Sequence, residues 1–351
     1  MEPYNLSTGL LPDIPDERDF LYSDVMRAGT VDIDWERGFD AFAAHGLTPK
    51  TQDQGGSSSC VAQSAAPHMR LWIKRLLGED IDFSRRFIYA QIALGYGYGA
   101  YLRDAVRLLS SVGDCPEIVM PSYERGLPPG EDFMLSKADL TKEVFDLAKT
   151  YDRFTFRMIP GATEDIDVFA HAIQENCGVI GGFIGTNEGW TNPVVSVPTG
   201  RGYRWNHAVF LSGFGIYQGR KCLFTKNSWG DRYTIATGRW AGHQAIPEEY
   251  FNAELMTAVG PAKGAYVFNS WVLVPSDELT PNQKLMDFLK KNEGKLVQNV
   301  EGRGEFGLVK GGQILVASKD RVAELLATYI MRKEGVAVPK DLWKEAPKGE
   351  I

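Results

Sequence analysis

Cysteine is scarce in this chain of 351 residues, which contains only Cys60, Cys115, Cys177 and Cys222. No two of them form a Cys-x-x-Cys pair, and no cysteine stands near a histidine at the spacing of a zinc site, so we expect neither a disulfide framework nor a bound metal. Few, widely separated cysteines are typical of proteins from a reducing compartment. We therefore predict a cytoplasmic location, with association with a virion as the alternative.

Long apolar runs are also lacking. None approaches the ~20 residues of a membrane-spanning helix, and the N-terminus has neither the basic start nor the apolar core of a secretory signal. The formal net charge is −7, and lysine and arginine are scattered along the chain rather than clustered, which argues against nucleic-acid binding. The composition indicates a soluble globular protein that binds neither membranes nor nucleic acid.

Composition divides the chain into three parts. Residues 1–30 contain three prolines among polar and acidic residues, which predicts an extended N-terminal arm. Residues 31–275 begin with helical patterns and become β-rich after about residue 150. Residues 276–351 combine two amphipathic helical patterns with three short strand patterns in a small α+β appendage. This order indicates an α+β fold rather than a repeated βαβ unit.

The first helical pattern begins at Cys60, where apolar residues recur at helical spacing as far as Gly78. Gly78 is expected to end this helix, and Pro67 to bend it. Further helices are predicted in FSRRFIYAQIAL, in the second half of GYGYGAYLRDAVRLLSSVG and over residues 163–176. Strands are predicted in the runs FTFRMI, CGVIGGFIG, HAVFLSGFGIY, KCLFTKNSW, GRWAG and GAYVFNSWVLV.

Cys60 fits two roles when it is considered alone. Free cysteine is among the most frequently buried residues, so a place in the core is the simpler interpretation. A helix N-terminus, however, stabilises a thiolate, and the sequence accordingly predicts a lowered pKa for Cys60, with Ser58 or Ser59 as the helix cap. The other three cysteines lie in apolar or turn-like surroundings and are expected to be core residues.

A nucleophilic cysteine needs a base and a group that orients the base. His207 begins a strand pattern in which alternation places His207, Val209 and Leu211 on one face, so its imidazole is expected to be held firmly. Asn227 follows a later strand pattern, and its amide can bind one imidazole nitrogen while the other faces the thiol. The four remaining histidines are expected to be structural or exposed.

These residues lie in motifs that resemble those of the papain-like cysteine peptidases, the C1 family. QGGSSSCVAQSAA is similar to QGxCGSCWAFSA, NHAVFLSGFG to NHAVxxVGYG, and KNSWGDRYTIATGRW to KNSWGxxWGxxGY. His207 follows Cys60 by 147 residues, within the separation of roughly 130–150 residues that is typical of the family. The resemblance covers roughly residues 15–275, and the arm resembles that of short-armed bacterial and phage members.

The resemblance implies a two-lobed α+β fold, in which a helical lobe carries Cys60 and a β-barrel-like lobe carries His207 and Asn227. It further implies a peptidase that hydrolyses peptide bonds. In that enzyme Cys60 is the nucleophile, His207 the base and acid, Asn227 the orienting residue and Gln54 the oxyanion-hole amide.

Three more residues are implied to contact the substrate, which would be a peptide or protein. Gly99 and Ala100 match backbone that pairs with an extended substrate, and Trp229 matches the aromatic residue that shields the site. The family mechanism requires no cofactor and no metal. The arm, residues 1–30, is hypothesised to cover the cleft between the lobes.

Several positions depart from the family pattern. Val61 replaces a tryptophan, Ser57 a disulfide cysteine, Ser58 a glycine, and Tyr233-Thr234 a Trp-Gly pair. The loss of the disulfide cysteine agrees with a reducing compartment. The alternative from a different class is a weakly active or inactive papain-fold protein with a structural or binding role, in a virion or another assembly, that docks a partner through residues 276–351.

Overall fold

The computed structural model describes residues 8–14, 16, 19, 21–22, 32–161, 165–198, 204–257 and 260–276, together with five strands between residues 296 and 350. The chain forms two compact units, Met1–Pro275 and Ser276–Ile351. Among the described helices, none has the length and apolar character that crossing a bilayer requires.

Helices dominate the first half of the N-terminal unit. They alternate with three two-residue strands, and their bounds are β1 Leu10–Leu11, β2 Phe39–Asp40, α1 Ala41–Ala44, α2 Cys60–Leu77, α3 Arg85–Ile92, β3 Ala100–Tyr101, α4 Leu102–Ser111, α5 Glu131–Leu135 and α6 Lys142–Ala148. The predicted start and end of the first long helix are confirmed, because α2 begins at Cys60 and passes through Pro67, and Gly78 caps it with φ 73°.

Strands dominate the second half of this unit. Their bounds, with those of the intervening helices, are β4 Phe154–Ile159, α7 Ile166–Glu175, β5 Val179–Gly185, α8 Asn187–Trp190, β6 Trp205–Tyr217, β7 Arg220–Lys226, β8 Gln244–Pro247, α9 Glu249–Asn252, β9 Glu254–Thr257, β10 Gly260–Lys263 and β11 Ser270–Pro275. One predicted strand is wrong: GRWAG forms a turn, in which Gly238 and Gly242 have positive φ. The next strand, β8, begins two residues after that turn.

The main sheet has the order β4–β11–β5–β6–β7–β8 with antiparallel neighbours, and β2 also pairs with β6. Over the described residues its outer strands, β4 and β8, do not pair with each other. The α+β prediction is confirmed, but over the described residues the β lobe is an open sheet and not the barrel-like lobe that the resemblance implied.

Strand β6 separates two apolar cores, as the alternation of its side chains predicts. Val209 and Leu211 belong to the core on one face of the sheet, while Ala208 and Phe210 belong to the core that includes α2. Phe210 contacts His68 of α2 with 5.6 Å between the ring centroids. Helix α2 therefore packs against β6, which brings the helix that begins at Cys60 to the strand that carries His207.

The C-terminal unit contains a five-stranded sheet. Its strands are β12 Leu296–Asn299, β13 Phe306–Lys310, β14 Gln313–Val316, β15 Val336–Val338 and β16 Lys348–Glu350, in the order β15–β12–β13–β14–β16. The three strands predicted in this unit are confirmed as β12, β13 and β14. The two helices predicted over residues 282–294 and 319–335 lie outside the described residues.

Candidate active site

The Cys60 side chain is fully buried at the start of α2. Burial raises the pKa of its thiol to about 12, against the opposing effect of the backbone N–H groups of Ala208, Val61 and Cys60 itself, which favour the thiolate. The expectation of a lowered pKa is therefore wrong for this closed site, because the loss of hydration outweighs the favourable helix N-terminus. The hydrogen bond from the Ala208 N–H also shows that the Cys60 thiol lies beside Ala208, the residue that follows His207.

The serines before Cys60 are joined to one another, and the Ser59 hydroxyl also accepts from Gln63 Nε2 of α2 at 3.4 Å. Ser59 occupies the N-cap position, but its hydroxyl makes no capping bond, so the predicted side-chain cap is absent from this helix. Instead Ser57 and Ser59 hydroxyls lie 2.7 Å apart, and the Ser57 hydroxyl donates to the Gln54 carbonyl at 2.7 Å. Ser57 thus holds by hydrogen bonds a loop that a disulfide holds in the family pattern. All four cysteines are buried, which was predicted for Cys115, Cys177 and Cys222.

His207 and Asn227 meet as the sequence predicts. His207 lies near the start of β6 and Asn227 directly after β7, and His207 Nε2 is 2.8 Å from Asn227 Oδ1. His207 Nδ1 is buried and has no hydrogen-bond partner within the described part of the chain. Burial lowers the pKa of His207 to about 4, although the bond to Asn227 opposes this shift. The imidazole is accordingly neutral and has one free nitrogen.

Trp229 covers this pair. Its ring stacks on the His207 imidazole with 4.3 Å between centroids and 17° between planes. Trp190 and Trp205 contact His207 edge-on from other sides. The shielding role that the resemblance assigns to Trp229 agrees with this position, because stacked aromatic rings keep water from the bond between His207 and Asn227.

Gln54 lies at the same site, where hydrogen bonds hold its backbone N–H and both ends of its side-chain amide. Its backbone N–H donates to the Ser228 carbonyl at 2.8 Å, its Nε2 donates to the Ser57 carbonyl at 2.8 Å, and its Oε1 accepts from the Ser228 hydroxyl at 2.5 Å. A side-chain amide has two N–H groups, so one remains for another acceptor. Sequence reasoning missed Ser228, although it directly follows Asn227 in the same motif.

The N-terminal arm runs along the backbone that was predicted to bind substrate. β1 pairs in parallel with β3, and the Ala100 N–H donates to the Gly9 carbonyl at 2.9 Å. A Cβ on Gly9 would lie 2.0 Å from the Ser58 carbonyl oxygen, and a Cβ on Gly99 would lie 1.8 Å from the Gly9 carbonyl oxygen. Arm, nucleophile loop and Gly99 therefore pack backbone against backbone, two residues from Cys60.

After β1, acidic side chains of the arm form hydrogen bonds and ion pairs with α4 and β11. Asp13 accepts from the Trp271 indole at 2.7 Å and from the Arg103 backbone N–H at 3.1 Å. The Arg103 guanidinium also pairs with Asp19, and Arg107 pairs with Asp16 at 3.2 Å. The arm is thus bound to α4 by ion pairs and to β3 by backbone pairing.

A buried carboxylate joins the nucleophile loop to the loop before β3. Glu131, at the start of α5, accepts from the Ser58 backbone N–H at 2.6 Å, from the Gly97 N–H at 3.0 Å and from the Tyr89 hydroxyl at 2.7 Å. No pattern in the sequence indicated Glu131, because its three partners come from three separate segments. Hydrogen bonds to a charged acceptor are the strong ones, so this carboxylate fixes the loop that carries Cys60.

Replacing Glu131 with glutamine is expected to lower the free energy of unfolding by about 2 kcal/mol, because the NH₂ group that replaces one carboxylate oxygen cannot accept from a part-buried backbone N–H. Tyr89→Phe is the matched control, since it removes one of the three bonds and leaves the carboxylate. Urea unfolding of the two variants measures whether Glu131→Gln lowers the free energy of unfolding more than Tyr89→Phe does. Equal stability of Glu131→Gln and the unaltered chain would contradict it.

Metal ligation has no support in the described part of the chain, where no three His, Cys, Asp or Glu side chains are grouped as a metal site requires. The chemistry available at Cys60, His207, Asn227 and Gln54 is nucleophilic and acid–base chemistry.

Solved structures with a similar fold are cysteine proteases. Xylellain from Xylella fastidiosa matches 78% of this chain and 97% of its own, with a TM-score of 0.56 and 22% identity. Procathepsin B from Trypanosoma congolense matches 77% of this chain and 86% of its own, with a TM-score of 0.52 and 14% identity. The proform of the ragweed pollen cysteine protease Amb a 11 matches 71% and 67%, with a TM-score of 0.50 and 19% identity.

No protein-family model and no curated protein matches the sequence. At identities of 14–22%, the likeness to solved structures is one of fold. The chain has the papain-like fold, which confirms the fold that the three sequence motifs implied. What the site does is inferred from its own residues.

Proposed function

We propose that the protein is a cysteine peptidase that hydrolyses peptide bonds in peptides or proteins. One observation carries the proposal: the buried His207 binds Asn227 through Nε2 and has a free Nδ1, and the backbone amide of the next residue, Ala208, faces the Cys60 thiol. A thiol, a neutral imidazole and an orienting amide in this order are the parts that nucleophilic catalysis by cysteine needs.

In the proposed reaction the Cys60 thiol gives its proton to His207 Nδ1, and the sulfur attacks the carbonyl carbon of the scissile bond. The free N–H of Gln54 and the backbone N–H of Cys60 stabilise the oxyanion. His207 then gives the proton to the leaving amine, and a thioester remains on Cys60. Water, deprotonated by His207, hydrolyses the thioester and restores the thiol.

The state described above is closed, and we propose that the arm holds it so. Gly9 contacts Ser58 and Gly99 backbone, and Cys60 and His207 are fully buried. Burial favours the neutral thiol and the neutral imidazole, as the raised and lowered pKa values show. Displacing the arm admits water and substrate and lets the ion pair form. Gly9→Val should displace the arm, since even the Cβ of a side chain at this position would lie 2.0 Å from the Ser58 carbonyl oxygen.

Leu10 of the arm indicates the substrate side chain that the cleft accepts. It is buried, and a Cβ on Gly182 would lie 2.8 Å from Leu10 Cδ2, 3.1 Å from Phe268 Cβ and 3.3 Å from Leu102 Cδ1. Gly182 pairs with Ala208 across β5 and β6, so this apolar pocket lies one strand from the residue that follows His207. An aliphatic side chain of the substrate fits the pocket once the arm has left.

With the arm displaced by Gly9→Val, we expect hydrolysis of a dipeptidyl fluorogenic substrate that carries leucine, and at least about tenfold lower kcat/KM when lysine replaces it. The physical reason is that an ammonium group loses its hydration in an apolar pocket. Steady-state kinetics with the two substrates measure the ratio. Absence of hydrolysis of both, together with no reaction with an epoxide thiol inhibitor between pH 5 and pH 8, would refute the peptidase.

A structural or binding role is the second candidate, and the separate C-terminal unit favours it. Residues 276–351 form a compact unit beyond the catalytic part, as a docking module would. The two functions are separable, because loss of Cys60 leaves a docking role intact and removes hydrolysis.

A further inference from the structure

A buried glutamine binds the far side of Asn227. Gln244 is the first residue of β8, and its side chain is fully buried. Its Nε2 donates to two backbone carbonyls, Trp190 O at 2.8 Å and Asn192 O at 2.9 Å, and its Oε1 accepts from Asn227 Nδ2 at 2.6 Å. In this way both polar groups of the Gln244 side chain are paired, with the backbone of Trp190 and Asn192 and with the side chain of Asn227.

These bonds fix the direction of each amide in turn. Backbone carbonyls only accept hydrogen bonds, so the NH₂ group of Gln244 must face them and its oxygen must face Asn227. Asn227 must then present its own NH₂ group to Gln244 and its oxygen to His207. The Ser228 backbone N–H, which can only donate, lies 2.7 Å from Asn227 Oδ1 and requires the same orientation.

The orientation of Asn227 determines which nitrogen of His207 carries the proton. Because Asn227 Oδ1 can only accept, the nitrogen that faces it, His207 Nε2, must carry the proton of the neutral imidazole. The other nitrogen, Nδ1, is then a free acceptor on a ring whose second nitrogen is already bound. This is the tautomer that can take a proton from the Cys60 thiol.

We propose that Gln244 is a positioning residue that, through Asn227, holds the proton of His207 on Nε2 and leaves Nδ1 as the base for Cys60. The proposal rests on the proposed peptidase function. It extends the Cys60, His207 and Asn227 arrangement by a fourth side chain that touches neither thiol nor substrate. Position 244 shares a face of β8 with the buried Ile246, so a polar residue here is exceptional on an apolar face.

Gln244→Met keeps the length of the side chain and removes both of its hydrogen-bonding groups, leaving Asn227 Nδ2 buried and unpaired. In the Gly9→Val background we expect kcat to fall about tenfold with KM unchanged, since an Asn227 amide without Gln244 no longer holds the His207 proton on Nε2, and the Nδ1–H tautomer cannot accept the thiol proton. Gln91→Met is the matched control. Gln91 also donates to a backbone carbonyl, Phe87 O at 2.7 Å, but within α3, and its replacement should leave kcat unchanged.

The second readout is the tautomer itself, recorded from ¹⁵N-labelled histidine side chains by NMR, with the His207 signals identified by their absence in His207→Ala. The full-length chain should carry the proton on Nε2, and Gln244→Met should shift part of the population to Nδ1. A proton on Nδ1 in the unaltered chain would overturn the proposal, and so would an unchanged tautomer in Gln244→Met. Because this spectrum needs no substrate, failure of the peptidase function is distinguishable from failure of the role of Gln244.

Discussion

Cys60→Ala is expected to abolish peptide hydrolysis, with a fall in kcat on the order of 10⁴ or more, which is the size of effect seen when a nucleophile is removed from a catalytic unit that acts as a whole. Alanine fits the start of α2, since it is smaller than cysteine and favours helix. Cys60 belongs to the buried core, from which this change removes a single sulfur atom. The loss would therefore be chemical rather than structural.

The measurement is steady-state hydrolysis of the leucine substrate, with the arm displaced by Gly9→Val in every chain compared. Cys115→Ala and Cys222→Ala are the matched controls, because both residues are equally buried free cysteines away from His207. They should retain activity. Hydrolysis that survives in Cys60→Ala, or disappears in the controls while the chains remain folded, would contradict the assignment.

Gly9→Val is expected to raise the rate at which iodoacetamide modifies Cys60 by at least about 100-fold at pH 7, because each unit by which the thiol pKa falls gives tenfold more thiolate. In the unaltered chain the site is closed and burial holds the pKa of Cys60 near 12. Valine cannot be accommodated at position 9, where even a Cβ would lie 2.0 Å from the Ser58 carbonyl oxygen. The arm must leave, and water then reaches the thiol and His207.

The pH dependence distinguishes the two states. The thiolate fraction of the closed chain should increase about tenfold per pH unit between pH 7 and pH 10, whereas that of Gly9→Val should level off at lower pH. Ile14→Ala is the control within the arm, since the Ile14 side chain is exposed. Equal rates and equal pH profiles in the unaltered chain and in Gly9→Val would show that the arm does not close the site.

The sequence predicted those parts of the site that are local or periodic. Helix α2 could be located from apolar spacing and its C-terminal glycine, and the two faces of β6 from simple alternation. His207 and Asn227 could be paired because their motifs keep the order and spacing of a known family. In each case the signal lies within a few residues of the side chain concerned.

The remaining parts depend on contacts between distant segments. Gln244 contacts Asn227 across β7 and β8, and Glu131 binds three segments at once, so neither has a local pattern. The predicted lowering of the Cys60 pKa was wrong for the same reason, because this pKa depends on contacts between distant segments. A helix N-terminus is visible in the sequence, but the burial that outweighs it arises only when the start of α2 packs against β6, whose Ala208 lies beside the thiol.

The most direct test of the account is mass-spectrometric identification of the cysteine that an activity-based thiol probe modifies, with and without residues 1–30. We expect modification of Cys60 alone, much faster in the shortened chain, and none in His207→Ala under the same conditions. Modification of Cys115, Cys177 or Cys222 in preference to Cys60, or none in the folded shortened chain, would contradict it.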